Sequence, residues 1–170
     1  MKRKTKLTLA EVALFGILGA LTFAAQVVMA PLPNVEPVSL FVMVFAVTFG
    51  VKCLYPIYVF VILETLFYGL QLWVVNYLYI WAILALGAWL LRKSQAPLAW
   101  AILSGAFGLL FGTLCTPVYW VTGGLSFAIS WWASGLIFDI YHCVGNFVLA
   151  LLLFQPLRKL LHTLYQRLRQ

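Results

Sequence analysis

The eleven Lys and Arg residues of this 170-residue chain fall in only four places, separated by long stretches without a single cation. The groups are Lys2, Arg3, Lys4 and Lys6; Lys52; Arg92 and Lys93; and Arg158, Lys159, Arg167 and Arg169. The intervals between them are apolar and long enough to cross a bilayer, for which a helix needs roughly 20 residues. The sequence is 65% hydrophobic and 9% charged, against about a quarter charged in an ordinary soluble domain. It therefore reads as an integral membrane protein forming one membrane domain, residues 1–170.

Placing all four basic groups in the cytoplasm satisfies the preference of Lys and Arg for that side of a membrane. Both termini are then cytoplasmic, the number of spans is even, and three outward turns are needed. They fall at "PLPNVEPV" (31–38), near "WVVN" (73–76) and at "VTGGLS" (121–126), where paired glycines break the helix. The expected architecture is all-α: a six-transmembrane-helix bundle with spans at about 8–30, 38–51, 53–72, 76–91, 97–120 and 128–155. The second is short and the last long, so tilting or a partly re-entrant path is expected. The basic start "MKRKTK" precedes an apolar run too long for a signal peptide, which makes that run the first span.

Several function classes drop out. The net charge of +7 sits at membrane flanks and forms no nucleic-acid-binding surface. A phosphate loop, an H-E-x-x-H helix and a C-x-x-C pair are all absent, so the chain does not hydrolyse ATP itself. No cofactor is expected. Cys53, Cys115 and Cys143 are odd in number and lie in apolar segments, which suits packing better than disulfides.

Ionisable groups within spans are expensive, roughly 2.5–3.5 kcal/mol on insertion scales, and tend to face a cavity or a partner. Glu64, Tyr68 and Gln71 share one helical face; the alternative is a protonated Glu64 bonded to a neighbouring helix. Trp132, Gly135, Asp139, His142 and Asn146 form a second stripe. Asp139 and His142 suit a structural ion pair, a proton relay or a ligand clamp. A metal site would need a third ligand, and none is expected. Aromatics gather at the outer ends (Trp73, Tyr77, Tyr79, Tyr119, Trp120, Trp131, Trp132), where an interfacial belt leaves some free to stack on a flat ligand. With no ammonium or guanidinium on that side, a neutral or cationic aromatic small molecule fits best. Along the first span Ala13, Gly16, Ala20 and Ala24 form a small-residue stripe suited to close helix approach, within the bundle or to a membrane partner.

Over essentially its whole length the chain resembles the S components, the substrate-capturing subunits, of energy-coupling-factor (ECF) vitamin transporters. The resemblance is carried by its size, six spans, the span-one stripe, the proline-containing loop "PLPNVEPVSLFV" and the tight basic turn in "TFGVKCLYP". Gly16 and Ala20 stand where the family's A-x-x-x-A motif would, since Ala13 is followed four residues later by Ile17.

What the resemblance implies is a high-affinity capture subunit in the cell membrane of a prokaryote. It would dock on a membrane coupling subunit driven by two cytoplasmic ATPase subunits, topple, and release its ligand inward. In the family the first, third and fifth loops close over the site, which brings Asn34, Glu36 and Asn76 to the ligand. The start lacks the Met-His of metal-transporting members. The lack of outer cations disfavours biotin, folate and pantothenate, leaving a B6 vitamer, a thiamin-type pyrimidine or a deazapurine base. The competing readings are an autonomous proton-coupled carrier using Glu64, Asp139 and His142, and an intramembrane acid–base enzyme, for which no nucleophile is recognisable.

Overall fold

The computed structural model of the chain describes residues 7–31 and 35–170, and every regular element among them is a helix. In chain order these are α1 (Leu9–Met29), α2 (Val38–Phe49), a single 3-10 turn (Gly50–Cys53), α3 (Leu54–Tyr68), α4 (Leu72–Leu90) and α5 (Pro97–Leu168). Local chemistry sets the starts. Thr8 and Glu11 form a reciprocal capping box at α1, each side chain bonding the other's backbone N–H at 3.1 Å. Pro97 opens α5, where its missing N–H costs nothing.

A continuous helix of 72 residues would be roughly 110 Å long at 1.5 Å per residue. Gly124 breaks it: at φ 80° and ψ 174° the chain takes a path that side chains bearing a Cβ rarely follow. The two limbs, 97–123 and 125–168, fold back antiparallel. Trp100 stacks on Phe154 with centroids 4.1 Å apart, and Tyr119 stacks on Trp131 at 3.8 Å. Between those pairs the limbs touch through glycine. A Cβ on Gly108 would come within 2.7 Å of the His142 carbonyl, and one on Gly112 within 2.5 Å of the Asp139 carboxylate.

The turn expected at 73–76 lies earlier. Gly69, at φ 79°, ends α3 and helix resumes at Leu72, so Trp73 and Asn76 are helical. Asn76, assigned to that turn, is instead buried in α4. The helix that carries the last expected span, 128–155, continues without a break through Pro156 to Leu168.

Polarity is arranged as lipid requires. Large apolar side chains such as Ile17, Leu66, Leu109, Leu136 and Leu152 are exposed, while Glu11, Glu64, Asp139, His142 and Asn146 are buried. Among the described residues four stretches, Leu9–Met29, Val38–Tyr68, Leu72–Leu90 and Pro97–Leu168, are long and apolar enough to cross a membrane.

The molecule has two chemically different ends. At one, Glu11 receives Lys52 Nζ at 2.7 and 2.8 Å and the Tyr165 hydroxyl at 2.6 Å, fastening α1, the 3-10 turn and the far limb of α5 together. Arg158 at the same end donates to the carbonyls of Ser94 (3.0 Å) and Arg92 (3.2 Å). The opposite end, where α1 and α3 finish and α2 begins, carries no Lys or Arg among the described residues.

Candidate ligand-binding site

A cavity of about 230 Å³ opens at the end without cations. The last turn of α1 contributes Gln26 and Met29, its C-cap contributes Ala30, and the approach to α2 contributes Val35 and Glu36. Tyr68 closes it from α3, Tyr77 and Trp81 from α4, and Phe111 and His142 from the two limbs of α5. Drug-sized ligands occupy sites of roughly 300–1,000 Å³, so this one suits a smaller molecule.

Glu36 organises the wall. Its carboxylate accepts the backbone N–H of Val38, the N–H of Ser39 at 3.2 Å and the Ser39 hydroxyl at 2.7 Å. It thus satisfies the first free amides of α2 and benefits from the positive end of the helix dipole. On the other side it meets His142 Nε2 at 3.0 Å. The imidazole packs edge-on against Phe111, centroids 4.8 Å apart. Asn146, one turn further along, donates to Ser39 Oγ at 3.0 Å. Glu36, Ser39, His142 and Asn146 therefore form one hydrogen-bonded chain joining the α1–α2 connection to the far limb of α5. Gly145 of the far limb lets the connection approach closely: a Cβ there would lie 3.3 Å from the Val35 side chain, next to Glu36.

Glu64 lies one turn before Tyr68 on α3 and is wholly buried, with neither carboxylate oxygen hydrogen-bonded. Glu64 does not itself line the cavity; it reaches the wall through Tyr68, one turn along the same helix. Tyr77 also belongs to an aromatic ladder along α4, its ring 5.0 Å from Trp73 and 5.1 Å from Trp81.

The remaining residues expected at a site scatter. Asn34 lies outside the described residues. Gln71 is exposed ahead of α4. The Asn76 amide meets the Tyr79 hydroxyl at 3.1 Å, and that hydroxyl reaches Leu114 O at 2.7 Å, bracing α4 against α5. Trp132 donates to Thr113 Oγ1 at 3.0 Å in a separate groove between the limbs of α5. Asp139 turns from His142 to accept Gly112 N–H at 3.1 Å. The stripe 132–146 is thus split: His142 lines the cavity, Asn146 supports it, and Asp139 holds the limbs of α5 together.

Sequence reasoning missed Gln26, Trp81 and Phe111 as wall residues, and Ser39 as a link. One signal was present: Trp73, Tyr77 and Trp81 recur every four residues, marking a single face of α4. Another was Gly105, Gly108 and Gly112, small residues that mark a close helix contact.

The span-one stripe faces outward. Ala13, Ala20 and Ala24 are exposed, and a Cβ on Gly16 would meet nothing within 4 Å. The small residue that α1 packs inward is Gly19, whose added Cβ would lie 2.6 Å from Val59 and 2.8 Å from the Pro56 carbonyl.

Among the described residues no three His, Cys, Asp or Glu side chains gather closely enough to hold a metal ion. Compared with known proteins, the chain matches no family model, no curated protein and no solved structure.

Proposed function

We propose that the chain is the capture subunit of an ECF-type importer, a six-span bundle with both termini and the basic end in the cytoplasm and the cavity facing outward. Counting each limb of α5 and each of α2 and α3 as a crossing gives six. The distribution of Lys and Arg supports the orientation.

The observation that carries the reading is the cavity wall: a carboxylate, an imidazole, an amide, two phenols and the rings of Trp81 and Phe111, with no ammonium or guanidinium. Flat rings offer stacking faces, and Glu36 offers negative charge. Such a wall suits a small heteroaromatic that is neutral or cationic. A B6 vitamer, a thiamin-type pyrimidine and a deazapurine base all meet that description. The sequence lacks a phosphate loop, so energy for uptake would come from a coupling subunit and two cytoplasmic ATPase subunits. The exposed stripe of Ala13, Gly16, Ala20 and Ala24 is the surface of α1 on which the coupling subunit would dock.

The decisive experiment is reconstitution in liposomes. The isolated chain should bind ligand but not transport it under a pH gradient. With the energising module and ATP it should transport, and Gly16→Leu with Ala20→Leu should abolish uptake without weakening binding. Uptake by the isolated chain driven by protons alone would favour the autonomous carrier, which the unpartnered Glu64 would then serve.

A further inference from the structure

A second cleft, of about 590 Å³, lies at the basic end between the C-terminal turn of α2, the α4–α5 connection and the far limb of α5. Three of its side chains are Arg158, Lys159 and His162. Arg158 is held in place by its bonds to the Ser94 and Arg92 carbonyls, which use two of the five N–H donors of a guanidinium. Lys159 and His162 stand exposed one turn apart. The Thr48 hydroxyl in the cleft wall is buried without a hydrogen-bond partner, a state that a native structure usually leaves to an unseen partner.

None of the chain's four acids neutralises this group. Glu11 is taken by Lys52 at 2.7 Å, Glu36 faces His142, Asp139 bonds Gly112, and Glu64 lies near the opposite end of α3. One anchored guanidinium, an exposed ammonium, an imidazole and an orphan hydroxyl line the same cleft: the chemistry of a phosphate site. On the same limb Leu152, Leu153 and Leu160 are exposed beside the cleft, so a bound phosphate would lie where acyl chains can run along the helix. Basic pockets of this kind at a cytoplasmic membrane surface are filled by anionic headgroups.

We propose that this cleft holds the phosphate of an anionic phospholipid. The site depends on the chain lying in a membrane and is independent of what the opposite cavity binds.

The test is native mass spectrometry of the full chain in detergent, titrated with phosphatidylglycerol or phosphatidylcholine. Lys159→Gln with His162→Gln removes the two exposed cleft groups and should leave the melting temperature unchanged. Lys93→Gln with Arg167→Gln removes charge from the same end outside the cleft. The wild type should retain phosphatidylglycerol preferentially, the cleft variant about five-fold less of it, and the control variant as much as the wild type. Equal losses in the two variants, or no preference between lipids, would overturn the proposal. Displacement of the lipid by millimolar glycerol phosphate would overturn it too, by making the cleft a site for a soluble phosphate.

Discussion

Glu11 and Glu64 are both carboxylates buried among apolar helices, yet one is surrounded by donors and the other has none. Glu11 accepts Lys52, Tyr165 and the Thr8 amide, whereas Glu64 accepts nothing. The same contrast separates the two ends of the molecule. At the basic end the buried acid is saturated and ties three elements together, which is what a structural ion pair needs to offset its desolvation. Toward the opposite end a carboxylate is left unsatisfied, one turn from the cavity residue Tyr68. A buried polar group without a partner costs about 1–3 kcal/mol, so such a group persists where something else completes it. On this account the first end is built for stability and the second for a ligand.

Four substitutions sharpen or break that contrast. Glu11→Ala should be the most damaging to the fold, costing about 3–5 kcal/mol because Lys52 loses its counter-charge. A steep drop in melting temperature with unaltered affinity in the surviving folded fraction is expected. Glu36→Gln should act oppositely, weakening ligand binding about thirtyfold while the helices persist, since it removes the charge facing His142 and the cavity; calorimetric titration reads this directly. Glu64→Gln should lower affinity about tenfold and leave the melting temperature unchanged or slightly raised, because an amide is easier to bury than an unpaired carboxylate. A large destabilisation by Glu64→Gln would mean that the carboxylate is already satisfied in the fold. Asp139→Asn should be the mildest: Oδ1 still accepts the Gly112 amide, so stability should change by less than about 1 kcal/mol and affinity not at all.

Much of the fold could be read from periodicity and punctuation. The break near Gly124, the start at Pro97 and the apolar stretches follow from residues whose preferences are local. The site was legible only in pieces. Helical spacing put Glu64 with Tyr68 and His142 with Asn146, because residues three or four apart share a face whatever the tertiary structure. It could not say which faces meet. Glu36 and His142 are 106 residues apart in sequence, and their pairing depends on how the α1–α2 connection packs on the far limb, where Val35 meets Gly145. Spacing also grouped Asp139 with His142, yet the close contact at Gly112 captures the Asp139 carboxylate. For α1, the sequence singled out the stripe through Gly16, and only packing against Val59 reveals Gly19 as the small residue that faces inward.

In the proposed function the cavity beside Glu36 and His142 receives a small heteroaromatic molecule. This is tested most directly by denaturing the purified protein, identifying the released small molecules by mass spectrometry, and titrating the refilled protein by calorimetry. The account predicts one neutral or cationic heteroaromatic compound at about one per chain, rebinding below micromolar and weakened by Glu36→Gln. A protein that releases nothing, and binds no member of a vitamin panel while still correctly folded, would contradict it.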